Sequence, residues 1–322
     1  MLSIALAAVI SAQPIAVTRI QTFDSLKPVA FATGPKSAMF AAALENGQVR
    51  LMNAATKATT QTLTGHPQAC YALSFTPNGQ QIVSGDETSR MYVWDVKTGK
   101  KLREFPRGVQ SHARGIQSIS FSPDGKTMYS TGKDDVIIVW NFADAKPKYR
   151  IAGNGVVFAS AVLVKSNLIA ATLTEGIHYR GLPSYGISFR KDFTGGTGVN
   201  DLVANAAGTR VITAGRDNFV GVWDVAKKTL SAKLGGHQDW VQRVAISPNG
   251  KLAASSANDR TVRFWDLNSN KQVAILNDAS AIGSPIAFTG DGKYVVTVSI
   301  NDGLQINSVT PSQAAVVSTR RR

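Results

Sequence analysis

The chain has 322 residues, 43% of them hydrophobic, with 35 basic against 21 acidic side chains and a formal charge of +14. That apolar fraction is ordinary for a packed globular core, and a single all-β unit can run to this length. One cysteine, Cys70, excludes an intramolecular disulfide and an all-cysteine metal site, while the charge points to an anionic partner or surface.

In chain order, the first 17 residues carry no charge. Leu2 to Ile10 is a compact apolar run before Ser11-Ala12-Gln13-Pro14, the pattern of a secretory segment with a small-residue cleavage site. Residues 1–12 are therefore expected to be a signal peptide, leaving 13–322 as one exported domain. No Lys or Arg precedes the run, so the alternative is a leading strand or a mis-chosen start in a cytoplasmic protein. The run is too short to span a bilayer comfortably, and no later segment reads as a transmembrane helix.

Ile15 to Phe23 reads like the fourth strand of a unit whose first three strands are missing. From there a phrase recurs about every 42 residues, at Leu51-Met52-Asn53, Val93-Trp94-Asp95, Val139-Trp140-Asn141, Tyr179-Arg180-Gly181, Val222-Trp223-Asp224, Phe264-Trp265-Asp266 and Ile306-Asn307-Ser308. Such a period means repeated supersecondary units, none able to bury its apolar faces alone. Each unit reads as four short strands. In the clearest, Val241 to Ser247 ends at Pro248-Asn249-Gly250, Lys251 to Ser255 follows, Thr261 to Leu267 is third and Gln272 to Leu276 fourth. Cys70 falls on the apolar side of its strand and reads as a core residue. Gln313 to Thr319 resembles a fourth strand too, and only one terminal segment can complete the last unit.

His66, His112 and His237 each lie 28 residues before a Trp. With the Trp phrase and the aligned turns, this spacing resembles the WD-repeat β-propeller family over nearly the whole chain. The resemblance implies an all-β fold, a seven-bladed propeller of four-stranded antiparallel blades around a channel, closed by the N-terminal strand. It also implies a hydrogen-bonded set of His, Ser or Thr, Asp and Trp. That maps onto His112, Ser130, Asp134 and Trp140, and onto His237, Ser255, Asp259 and Trp265. The second unit has His66, Ser84 and Trp94 but Thr88 at the Asp position; the fifth has Thr213, Asp217 and Trp223 but Gly195 in place of His. The fourth unit, with Arg180 for Trp, is expected to be the least regular.

Much of the positive charge sits in predicted fourth strands, as in Lys100, Lys101 and Arg103, Lys146 and Lys148, Arg190 and Lys191, and Lys227, Lys228 and Lys233. Lysine on an outer edge blocks strand-to-strand aggregation. Three of the four histidines belong to the repeat, His178 has no metal-spaced partner, and no zinc, P-loop or nucleophile-elbow pattern occurs. The expectation is a non-catalytic protein without cofactor or metal. Propellers place function on the loops joining one blade to the next and second strand to third. In the family, residues beside the His and just before the Asp point onto that face. Here they are Tyr71 and Glu87, Gln117 and Lys133, Asn200 and Arg216, and Trp240, Gln242 and Asn258, with Trp240 the natural anchor. The reading is a monomeric, rigid platform for a protein or peptide partner, an acidic one given the charge, with nucleic acid less favoured. The competing reading is an exported propeller enzyme or small-ligand binder working at the central channel.

Overall fold

The computed structural model describes residues 15–108, 110–153, 158–164, 167–181, 186–191, 196–277, 279 and 284–311. The apolar run at 2–10 with its expected cleavage site, Gly195, and the strand read over Gln313 to Thr319 lie outside the described residues.

The described chain forms seven antiparallel four-stranded sheets, a seven-bladed β-propeller. Blade 3 shows the pattern: Ile116–Phe121 innermost, then Thr127–Gly132, Val136–Asn141 and Lys146–Ala152 outermost, each paired with the next. The innermost strands of successive blades neighbour one another around the channel, and that of blade 1, Pro28–Thr33, meets that of blade 7, Ala287–Phe288. Blade 7 takes its outer strand from the N-terminal side: Ile15–Phe23 pairs antiparallel with Gly303–Pro311, and Arg19 adds an ion pair to Asp302 at 2.9 Å. The joint between the two ends of the described chain is thus made of ladder hydrogen bonds and has no open seam.

The apolar core is divided among the joints between blades. Seven clusters of buried side chains each draw on two adjacent blades, as where Leu51 and Leu63 meet Cys70, Ile82 and Trp94. Each fully buried Leu, Ile or Phe contributes about 1.5–3 kcal/mol, and that stabilisation exists only when the neighbouring blade is in place. Cys70 lies wholly buried in the first of these joints.

Blade 4 keeps four paired strands, Phe158–Val164, Asn167–Thr172, Gly176–Gly181 and Gly186–Lys191, with the same register shifts as its neighbours. The expected irregularity falls on blade 7, whose innermost strand is just two residues long. Arg180 occupies the tryptophan position of blade 4 as a buried side chain over the Phe158 ring, so it fills space there as the indole does elsewhere.

Candidate functional site

In blade 6 the His237 ring lies 2.9 Å by Nδ1 from Asp259 Oδ2 and 2.7 Å by Nε2 from Ser255 Oγ, which also accepts the Trp265 indole N–H at 2.8 Å. Blade 3 repeats this with His112, Asp134, Ser130 and Trp140 at 2.9, 2.7 and 2.8 Å. A carboxylate only accepts and an indole only donates, so the chain of bonds is satisfied when Nδ1 carries the proton and the serine hydroxyl donates to Nε2. The imidazole is then neutral. Burial holds the His237 imidazole below its ordinary value, against the pull of Asp259. Burial pushes the Asp259 carboxyl up, but the Gln238 N–H, the Thr261 hydroxyl and His237 outweigh it, and the group lies below the usual carboxylate range.

Blade 2 departs from the sequence reading. His66 Nδ1 bonds Asp86 Oδ2 at 2.7 Å, while Thr88 donates its hydroxyl to Asp86 Oδ1 at 2.8 Å. The acid therefore comes from two residues after Ser84, where blade 3 has Gly132, whose added Cβ would run into His112 Nδ1 and Asp134 Oδ1. A side chain at that position already aims at the histidine. In blade 5, Trp223 donates to Thr213 at 3.2 Å and Asp217 pairs with Lys233 at 2.7 Å. Blade 7 puts Asn307 in the tryptophan position, donating to Thr297 at 3.1 Å, and blade 1 has Met52, with Ala42 ten residues earlier where the hydroxyl would be. In blade 1 donor and acceptor are thus absent together, as burial requires.

The face carrying the loops between blades is organised by a recurring β-bulge. In blades 1 to 6 the innermost strand shifts register across its second residue: Val29, Tyr71, Gln117, Ala159, Asn200 and Gln242. A bulged residue has no ladder partner and is re-aimed. All six line the hollows at the channel mouth. The central one, a cavity of about 200 Å³, is lined by Tyr71, Gln117, Lys133, Asn200 and Gln242 together with Ala159, Leu173 and Arg243. The other sequence-derived residues bond to this lining. Arg216 Nε donates to Asn200 Oδ1 at 2.7 Å and its guanidinium lies 5.0 Å from the Trp240 ring; Gln242 Nε2 donates to Asn258 Oδ1 at 3.0 Å. Lys133 reaches both Glu87 oxygens at 2.8 and 2.9 Å and lies 5.4 Å from the Tyr71 ring. Trp240 is 43% exposed and Tyr71 37%, so each presents an aromatic face held by a cation of the neighbouring blade.

One tier deeper, the residue after each bulge is Ala30, Ala72, Ser118, Ser160, Asp201 or Arg243. The charged pair was missed in the sequence because Asp201 and Arg243 lie in strands that read simply as apolar alternation. Asp201 accepts from Leu202 N at 2.9 Å and Val244 N at 3.2 Å, and burial in the channel raises its carboxyl above the usual range despite Arg243 and these bonds. Among the described residues no three His, Cys, Asp or Glu side chains gather to hold a metal. The buried His178 bonds Glu175, in the loop between the second and third strands of blade 4, at 2.9 Å.

At the outer rim, part of the basic excess is tied down. Arg103 donates to the carbonyls of Phe142 and Ala143 in the next blade, and Arg150 donates to Ser111 O at 2.6 Å. Every outer strand also shifts register opposite the tryptophan position, which bends the edge away from pairing.

The family model described as "WD domain, G-beta repeat" matches residues 57–95, 99–141, 188–224 and 228–266. Each matched repeat joins the outer strand of one blade to the inner three of the next and ends one residue after Trp94, Trp140, Trp223 or Trp265. Among curated proteins, the chain is 26% identical over 228 residues to the nuclear distribution protein PAC1 of Arthroderma otae, covering 68% of this chain and 44% of that one. It is 29% identical over 209 residues to nuclear distribution protein nudF of Emericella nidulans, covering 65% and 42%. To the WD repeat-containing protein srw1 of Schizosaccharomyces pombe it is 26% identical over 259 residues, covering 74% and 43%. The chain spans less than half the length of these relatives. Proteins named for distributing nuclei act inside cells, and this overturns the expectation of export and of a secretion signal drawn from the apolar run at 2–10. An apolar run with no basic residue before it carries only part of a signal's physics. The matched repeats, the tryptophan-centred networks and the closed ring of seven blades agree: the chain is a member of the WD-repeat β-propeller family.

Proposed function

We propose that this WD-repeat scaffold is a monomeric platform, working inside the cell, that holds a protein or peptide partner against the channel-mouth face without catalysing a reaction. One observation carries the reading. Tyr71, Gln117, Lys133, Asn200, Arg216, Trp240, Gln242 and Asn258 form one connected surface in which hydrogen bonds and cation–ring contacts fix every side chain but Gln117 before any partner arrives. Such preorganisation lowers the ordering cost of binding, and exposed Trp, Tyr and Arg supply the anchors. The positive excess favours an acidic partner by steering it from a distance.

The test is affinity capture from the protein's own cells, comparing the parent with a variant carrying Trp240→Ala, Lys133→Ala and Arg216→Ala, and with a Lys100→Gln, Lys146→Gln, Lys148→Gln rim variant. The mouth variant should lose its partner while its Tm moves by no more than about 2–4 °C, the shift that about 1 kcal/mol produces in a large domain. Retention by the mouth variant and loss by the rim variant would reject this face.

A further inference from the structure

Arg243 differs from the other cations of this face. Lys133 is paired with Glu87, and Arg216 is bonded to Asn200 and stacked on Trp240. Among the described residues, no hydrogen bond or ion pair engages the Arg243 guanidinium. Its neighbour in the channel, Asp201, forms no ion pair with it and acts on it only through its field, accepting instead from the N–H groups of Leu202 and Val244 and from the Ser160 hydroxyl. Small side chains, Ala30, Ala72, Ser118 and Ser160, occupy its tier on four other strands and leave a hollow of about 270 Å³ beneath the mouth. Arg243 lines that hollow, the central mouth cavity and a third hollow beside blades 1 and 7. On the same lining, the side-chain oxygen of Gln117 is buried with no hydrogen-bond partner. The mouth therefore offers a planar fork of donors and, across the lining, one acceptor.

We propose that this is a subsite for an acidic residue of a bound peptide: its side-chain carboxylate takes two parallel N–H bonds from Arg243, and a peptide N–H donates to Gln117 Oε1. The fork matches a carboxylate bidentately. A guanidinium in a walled hollow is worth more to an anion than one on the open rim, where water screens it. The proposal rests on the platform reading and adds the chemistry of the partner.

The experiment uses the whole chain and fluorescein-labelled hexaglutamate, with hexaglutamine as the neutral counterpart, read by fluorescence anisotropy at physiological salt. Arg243→Gln should weaken hexaglutamate by at least about tenfold. Arg243→Lys should lose most of the same factor, because a point charge cannot replace the fork. Lys148→Gln, which removes the same charge from the exposed outer rim, should change affinity less than about twofold. Equal losses for Arg243→Gln and Lys148→Gln, equal affinity for the two peptides, or no binding by the parent would overturn the subsite. Glutarate competing with a dissociation constant as low as that of hexaglutamate would also overturn it, in favour of a free small carboxylate. If Arg243→Gln still captures the cellular partner while the Trp240, Lys133, Arg216 variant does not, the platform stands and the carboxylate subsite falls. A Tm for Arg243→Gln close to that of the parent excludes misfolding as the cause of a loss.

Discussion

Asp259 and Asp201 are the same side chain in adjacent blades, and the protein uses them in opposite ways. Asp259, at the loop end of blade 6, faces the N–H of Gln238, the hydroxyl of Thr261 and the imidazole of His237, and together they hold it ionised against burial. Asp201, half-buried on the channel wall, has fewer donors, and the crowding of the surrounding strands prevails. A network that closes on itself stabilises the blade and offers nothing to a ligand. A charged tier whose members do not contact one another leaves Arg243 available. The difference separates the part of the molecule that holds the ring together from the part proposed to face a partner.

The largest expected effect lies in the closed network. Asp259→Ala takes the acceptor from the His237 N–H and from the backbone N–H groups of Gln238 and Thr261 and should cost about 1–3 kcal/mol, measured by urea unfolding. Asp86→Ala should cost as much, because Asp86 serves His66 in the same role. Thr88→Ala removes one hydroxyl bond and should cost well under either. Equal stabilities for parent and Asp259→Ala would erase the distinction between network and mouth.

The two aspartates should also show opposite pH dependence. Asp259, Asp134 and Asp86 titrate lower in the fold than in the unfolded chain, so their contribution is complete above the unfolded value of about 3.9 and is lost as pH falls through their folded values. His237 is depressed as well, and its contribution is lost over a higher window, as pH falls from about 6.5 through its folded value. Asp201 is raised, so its contribution is complete below about 3.9 and is lost as pH rises through its folded value. Asp201→Asn removes that loss. The stability difference between Asp201→Asn and the parent should therefore move in favour of the variant as pH increases. A difference that does not vary with pH would place Asp201 among the ordinary surface acids. The smallest expected effect is at the rim, where Lys148→Gln should stay within about 0.5 kcal/mol of the parent at every pH.

Much of the ring was legible in the sequence because a propeller repeats its physics. The tryptophan phrase fixes a third strand, the Pro-Asn-Gly and Pro-Asp-Gly turns fix the preceding hairpins, and Ile15 to Phe23 could only be an outer strand without a blade of its own. Legibility fails where one position can do another's work. Thr88 was read as an absent acid because alignment by turn position cannot see that Asp86, one tier away, points at the same histidine. Arg180 suggested the least regular blade, yet a long side chain with a flat head can fill an indole's volume, so the strands stay paired. The nine loop-face residues were accessible from family spacing, whereas Arg243 was not. Its meaning depends on the five small or acidic residues around the same tier, a relation between strands about 40 residues apart.

The bulge on the innermost strands has a further consequence, for how such a surface can change over generations. A residue inside a ladder is constrained by the neighbour across from it, and exchanging it disturbs two strands at once. Val29, Tyr71, Gln117, Ala159, Asn200 and Gln242 each stand at a break in the register, where the adjacent strand supplies no opposite residue. A substitution at one of them alters the outline and polarity of the mouth while the pairing on either side continues unchanged. The ring thus carries six mouth positions whose exchange leaves the ladders intact, and the aromatic, amide and aliphatic mixture now present is one of many that the same strand pairing would accept.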